Sequence, residues 1–289
     1  MILNGLVVAA FGKRYEVELE DKRRISCVTR GKKTDIASGD QVEIALTDHR
    51  EGVIERTLAR KTLLYRSNAY KSKLLAANVT QIIIVLATQP SFYEALLNRC
   101  LVAAEEAGIK ILIVLNKCDL KNDEALEKLN LYTALGYTTL PLSANQDIAP
   151  LLPFLAGEQS VMVGQSGMGK STIINALLPN ETARTQEMSV ALDSGKHTTT
   201  ATRLYYLDQH SSLIDSPGLQ EFGLNHISQQ ALEQAFVEFR PYLGHCRFNN
   251  CRHIHEPDCA ILSQVNLTIS ANRLAQYQLL TEELHRPIS

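Results

Sequence analysis

The run ILIVLNKCDL, Ile111 to Leu120, ends an apolar strand in Asn-Lys-Cys-Asp, and GQSGMGKS, Gly164 to Ser171, follows later in the chain. The first has the form of a loop that reads guanine, and the second of a loop that cradles phosphates. Guanine-reading sheet domains ordinarily place the phosphate loop first. The reversed order constrains the fold more than any other feature, because both motifs must still meet over one nucleotide. GQSGMGKS lies between the apolar run SVMVG and the helical TIINALL, the strand–loop–helix context that a phosphate loop requires. Gly164, Gln165, Ser166, Gly167, Met168 and Gly169 turn backbone N–H groups inward, and the helix that opens with Lys170, Ser171 and Thr172 adds its positive end. Lys170 is placed to reach the β- and γ-phosphates, and the Ser171 hydroxyl to bind Mg²⁺.

The remaining motifs fit the same site. Guanine shows an N1–H and a 2-amino group on one edge, so the paired oxygens of Asp119 select it over adenine. Asn116 contacts the other edge of the base, the Lys117 stem covers its face, and Cys118 completes the loop. PLSAN closes the next strand with Ser143 and Ala144, where a backbone N–H can meet the guanine O6. LIDSPG, Leu213 to Gly218, is a strand ending in Asp215, a Mg²⁺ ligand directly or through water, with Gly218 offering its N–H to the γ-phosphate. Between lies SGKHTTT. One of Thr198, Thr199 and Thr200 closes over Mg²⁺ as a switch loop, and Thr200 is favoured. A sheet domain can be cut at one surface connection and rejoined at another, because chain ends often lie close together. The sequence therefore predicts a circularly permuted guanine-nucleotide domain.

Three regions follow from periodicity. Residues 1–62 alternate in five short strand-like runs, GLVVAA, RYEVELE, RISCVT, DQVEIAL and EGVIERT. This predicts a small barrel, OB-type first because such barrels bind oligonucleotides, with an SH3-like barrel as the alternative. Residues 63–78 show no clean period and are expected to be a linker. Residues 79–222 alternate compact apolar runs (QIIIVLA, ILIVLN, TTLPLS, SVMVG, RLYYLD, SSLID) with the helical stretches FYEALLNRCLVAAEEAG and DEALEKLNLYTALG, as in a mostly parallel α/β sheet. Residues 223–289 form a helical region around a cysteine–histidine cluster. Residues 1–73 hold 15 Lys and Arg against 10 Asp and Glu, a net of +5, whereas residues 74–289 hold 14 against 21, a net of −7. A basic front end on an acidic body favours an anionic partner. The N-terminus lacks the form of a signal peptide, and no apolar run reaches the ~20 residues of a spanning helix. The expected location is the cytoplasm, away from membranes.

Six cysteines are present. Cys27, Cys100 and Cys118 are scattered and read as unpaired thiols. Cys246, Cys251 and Cys259 crowd together with histidines, which in a reducing compartment indicates a metal. With His253 they form a closed structural zinc set. His245 and His255 compete for the fourth place.

AANVTQ, LNKCDL, LSAN, GQSGMGKST, GKHTTT, IDSPGLQEFGL and CRFNNCRHIHEPDCAI together resemble the RsgA (YjeQ) family of small-ribosomal-subunit-dependent GTPases across nearly the whole chain. The resemblance implies an OB domain, a permuted GTPase domain and a C-terminal zinc domain. It also implies binding to the small ribosomal subunit and its rRNA late in maturation, with GTP hydrolysed to GDP for release, and a chain acting as a monomer. It selects His253 as the fourth zinc ligand. Lys196 stands where the family often has Arg, and Asp258 where Gly is common. Leu219 occupies the place of the glutamine that orients the attacking water in many GTPases. His197 resembles the family residue proposed for that task, so the catalytic set is His197, Lys170 and Thr200. Two other readings are a GTP-switched RNA-binding module with incidental hydrolysis and a zinc-dependent RNA-modifying enzyme. The closed ligand set disfavours the latter.

Overall fold

The computed structural model describes residues 2–31, 35–68, 71–178, 202–215, 224 and 226–285. The first five strands are β1 (Ile2–Phe11), β2 (Arg14–Leu19), β3 (Arg24–Thr29), β4 (Gln41–Leu46) and β5 (Glu51–Thr57). β1 bonds β2 on one side and β4 on the other, and β3 pairs with β5 in parallel. The circuit β1-β2-β3-β5-β4-β1 is an OB-like barrel, which decides against the SH3-like alternative. Alternation turns Tyr15, Val17, Ile25, Cys27, Val42 and Ile44 into a separate small core. A register shift between Val7 and Ala9 bends β1. Its first half pairs with β4, and Ala9 and Ala10 pair with the later strand β12.

Residues 63–78 are not an irregular linker. β6 (Leu63–Asn68) and β7 (Lys71–Ala77) form an antiparallel hairpin. Leu64, Leu75 and Ala76 join the main core, and a register shift between Leu64 and Tyr65 breaks the two-residue period that would have announced the strands. The following AANVTQ stretch is a junction. Asn78, at a positive φ of 56°, accepts from the Lys61 N–H and donates to the Gly39 carbonyl.

β8 (Gln81–Ala87), β9 (Lys110–Asn116), β10 (Thr138–Pro141), β11 (Gln159–Val163), β12 (Thr202–Tyr206) and β13 (Ser212–Asp215) lie in the order β10-β9-β8-β11-β13-β12, parallel except for β12. QIIIVLA is buried at every position, as expected of a parallel strand covered on both faces. α1 (Glu94–Glu106) joins β8 to β9, α2 (Asp123–Ala134) joins β9 to β10, and the short α3 (Leu152–Leu155) precedes β11. The chain walks outward from β8 to β10, returns to the centre at β11 and then proceeds the other way. β8 and β11 therefore flank a topological switch point, and ligands bind beyond the carboxyl ends of strands at such a point. Both sequence motifs emerge at that end.

α4 (Lys170–Leu177) follows the phosphate loop, and the C-terminal region contributes α5 (Gln229–Ala235) and α6 (Ala271–His285). Among the described residues no helix is long and apolar enough to cross a membrane. The C-terminal region docks on α1. Buried Arg273 donates to Glu238 at 2.6 and 3.1 Å and to the buried Asn98 of α1, and lies over the Phe236 ring. Asn272–Glu94, Arg99–Glu283 and Arg240–Glu105 contacts surround it.

Candidate functional site: a phosphate loop clasped to a base loop

The geometry is set by glycines. A Cβ on Gly164 would stand 2.3 Å from the Val85 carbonyl oxygen, so only glycine lets the loop leave β11 this close to β8. A Cβ on Gly169, at φ 90°, would stand 2.3 Å from the Asn116 Nδ2. Here the phosphate loop and NKCD touch. Asn116 is 2% exposed. Its Nδ2 donates to the Met168 carbonyl at 3.1 Å, and its Oδ1 accepts the Ala144 N–H at 3.1 Å. Lys117 donates from Nζ to the carbonyls of Gly167 at 2.7 Å and Gln89 at 2.9 Å. One asparagine and one lysine thus fasten the phosphate loop, the base loop and the Ser-Ala turn together. The sequence assigned Asn116 to the base edge; Met168 takes one of its two amide N–H groups, and the Ala144 N–H goes to its Oδ1.

The base loop has its own supports. Lys117 sits at a positive φ of 63°, and the buried Thr88, just past β8, donates its hydroxyl to the Lys117 carbonyl at 2.7 Å. Asn122 donates to the Thr88 carbonyl at 2.8 Å and caps α2 by accepting the Ala125 N–H. The Asp119 N–H donates to the Ser143 hydroxyl at 2.9 Å, and the Cys118 N–H to the Leu142 carbonyl. The exposed Asp119 carboxylate accepts no hydrogen bond among the described residues. The asparagine before an acidic first turn is a readable cap signal. Thr88 carried no signal, since its partner Lys117 lies in the loop after another strand, 29 residues on.

On the phosphate side, Lys170 donates to the carbonyls of Gly164 at 2.5 Å and Gln165 at 2.7 Å. Burial holds its ammonium below the usual lysine pKa, with Asp215 pulling the other way. Burial raises the Asp215 carboxyl at the end of β13, with Lys170 opposing. Lys170 opens α4 after the loop that leaves β11, and Asp215 ends the adjacent strand β13, so the two charges act on each other. The Gln165 side chain accepts the N–H of Tyr93 at the start of α1. Met168 is buried, Ser166, Gly167 and Ser171 are exposed, and Thr172 is half-buried. His197, Thr198, Thr199, Thr200, Gly218 and Leu219 lie outside the described residues.

The second site is the cluster of Cys246, Cys251, His253 and Cys259, whose ligand atoms all lie within 4.8 Å of one another. His253 Nδ1 is 3.6, 3.5 and 3.3 Å from the sulfurs of Cys246, Cys251 and Cys259, and the Cys246 and Cys259 sulfurs are 3.8 Å apart. Burial keeps the His253 imidazole below its usual pKa, in the neutral form that ligates. Its Nε2 lies 3.8 Å from Glu233 of α5, a partner the sequence did not reveal. Neither His245 nor His255 belongs to the group. His253 adopts φ 60° inside a loop organised by Glu256, which accepts the N–H groups of Arg252, Ile254 and His255. Burial would raise the Glu256 carboxyl, but these N–H groups hold it down at about 2.

A phosphate loop after β11 and an NKCD loop after β9, with β8 between them, reached in reversed chain order and flanked by a barrel and a knot of three cysteines and one histidine that could hold a metal, define a circularly permuted GTPase. Comparison with known proteins agrees. Residues 57–225 match the RsgA GTPase family. A relative from Nitrosospira multiformis, named small ribosomal subunit biogenesis GTPase RsgA, is 53% identical over 98% of this chain and 91% of its own length. One of the same name from Burkholderia pseudomallei is 50% identical over 96% of this chain and 91% of its own. The solved YjeQ from Thermotoga maritima superposes with a TM-score of 0.74 at 30% identity, covering 99% of this chain and all of that one. YloQ, described as a circularly permuted GTPase, gives 0.71 at 25% identity over 99% of this chain and 97% of its own. The chain belongs to the RsgA GTPase family.

Proposed function

We propose that this chain binds the small ribosomal subunit, acts late in its maturation, and hydrolyses GTP to GDP and phosphate with turnover stimulated by the subunit. The observation that carries the reading is the clasp of Asn116 and Lys117 on the phosphate loop, which joins base selection to phosphate binding in one unit. Asp119 reads the guanine edge. Lys170 exchanges its two carbonyl partners for phosphate oxygens. Ser171, Asp215 and Thr200 hold Mg²⁺, which supplies charge neutralisation on the phosphates. His197 orients the attacking water. Lys13, Arg14, Arg50 and Lys61 are exposed and without acidic partners among the described residues, which supports rRNA contact by the barrel. The chain acts as a monomer in the cytoplasm. The test measures GTP turnover with and without purified small subunits, on wild type and His197→Ala. Stimulation in wild type and its loss, with GTP binding kept, in the variant is the expected result. No stimulation of wild type would leave only the GTP-switched binding module.

The metal is assigned as a single structural zinc. Bond lengths of about 2.3 Å to sulfur and 2.0 Å to nitrogen put tetrahedral ligands ~3.8 Å (S to S) and ~3.5 Å (S to N) apart. The spacings above agree, and four protein ligands leave no open position. Elemental analysis of protein purified without chelator should find one zinc per chain. Cys251→Ala should lose it and destabilise the C-terminal region while GDP still binds. Metal-free wild-type protein that is fully folded would overturn the assignment.

A further inference from the structure

We infer that Thr88, with Asn122 behind it, is a specificity-determining positioning residue: it fixes the backbone from which Asp119 reads the base. This rests on the reading of Asp119 as the guanine-selecting carboxylate. Three observations support it independently of that carboxylate's own contacts. First, the base loop turns at Lys117 with φ 63°, a conformation that non-glycine residues adopt only where the surroundings enforce it. Second, Thr88 meets that turn on both sides. Its N–H donates to the Asn116 carbonyl at 3.1 Å and its hydroxyl to the Lys117 carbonyl at 2.7 Å. Third, Thr88 is itself held. It is 2% exposed, and its carbonyl accepts the Asn122 amide, whose other end caps α2. The turn is thus locked between β8 and the first turn of α2, with Asp119 in the short span between the two anchors.

The consequence is specific to the base. Asn116 and Lys117 bond the phosphate loop directly, so losing either disturbs phosphate and base together. The Thr88 hydroxyl bonds the Lys117 backbone carbonyl and neither of the two side chains that fasten the phosphate loop. Removing it frees the Lys117 carbonyl and loosens the aim of the next two residues. Two oxygens that must meet an N1–H and a 2-amino group at once are sensitive to such a loss of aim, since hydrogen bonds weaken steeply off line.

Inosine nucleotides lack the 2-amino group and so isolate its share of recognition. Binding of GDP and IDP is measured on wild type, Thr88→Val and Thr88→Ser, with nucleotide-free unfolding as a check on folding. Wild type should prefer GDP by about 10- to 100-fold, the range for a hydrogen bond to a charged group. Thr88→Val should lose about tenfold of that preference, mostly through weaker GDP binding, and Thr88→Ser should restore it. If Thr88→Val does not fold, Asn122→Ser keeps the cap acceptor, drops the amide donor and should shift the ratio in the same direction. A Thr88→Val or Asn122→Ser protein that binds both nucleotides more weakly by the same factor, or keeps the wild-type ratio, overturns the positioning role. A wild type that does not distinguish GDP from IDP overturns the Asp119 reading instead, and the inference with it.

Discussion

Asn116 carries two loops on one amide. Its Nδ2 donates to the Met168 carbonyl and its Oδ1 accepts the Ala144 N–H, at a depth where water cannot replace either partner. Asn116→Ala would leave a buried N–H and a buried carbonyl unpaired, each costing about 1–3 kcal/mol. Nucleotide-free protein should therefore lose about 2 kcal/mol or more of stability by urea denaturation. A variant with unchanged nucleotide-free stability and merely weaker GTP binding would refute the clasp and leave Asn116 with base contact alone. Chemistry-bearing residues were legible in the sequence where their motif is local, as in GQSGMGKS and the Cys246–Cys259 cluster. What those residues bond was not. The partners of Asn116 stand 28 and 52 positions away, and only the folded sheet brings them near.

α1 is the element on which the molecule turns. Tyr93, the residue just before it, donates its N–H to Gln165 of the phosphate loop, and its length receives Asn272, Arg273, Glu283 and Arg240 from the C-terminal region. The Arg273–Glu238 pair is buried on both sides, and burial alone would lower the arginine pKa, but Glu238 outweighs it. Removing one member strands the other. Arg273→Met should cost about 3–5 kcal/mol, whereas adding Glu238→Leu should recover much of it. Hydrogen exchange should locate the loss in α5 and α6, with GDP binding retained. Equal costs for the single and double variants would refute the stranded-charge argument. The helix itself was readable from its spacing. Its use as a dock was not, because Asn98 is an ordinary polar residue until Arg273 reaches it. The hairpin of β6 and β7 escaped for a related reason: one register shift and burial on a few residues give no period to read.

At the scale of the whole molecule, barrel and sheet are one hydrogen-bonded surface. β12 meets β1 through Ala9 and Ala10, the Ser38 hydroxyl donates to the Thr202 carbonyl, and the Tyr206 hydroxyl donates to Glu18 of the barrel at 3.0 Å. Burial would raise the Glu18 carboxyl, but hydrogen bonds from Lys22 and Tyr206 hold it below its usual 4.5. A carboxyl depressed in the folded state contributes stability in full above its unfolded value, and loses it as pH falls through the folded value. Tyr206→Phe should accordingly cost about 1 kcal/mol near neutrality, and its gap from wild type should close as pH drops below 4.5. A gap that stays constant to pH 3 in urea titrations would show that another group receives the phenol. The permuted order was legible because both loops keep their sequence signatures wherever the chain is cut. The shared surface was invisible, because nothing in GLVVAA distinguishes a strand that ends in its own barrel from one that continues into a neighbour.

That continuity has a further consequence. In the GTPase sheet alone, β12 would be an outer strand, with a row of bare N–H and C=O groups facing water. At the opposite side β10 is only four residues long and closes on Pro141, which blunts it. β12 has no such protection of its own, and its neighbour β1 supplies it. The barrel is thus also a guard against templated self-association. A fragment that starts after the barrel would carry the nucleotide loops intact and yet expose a sticky margin to every other copy of itself.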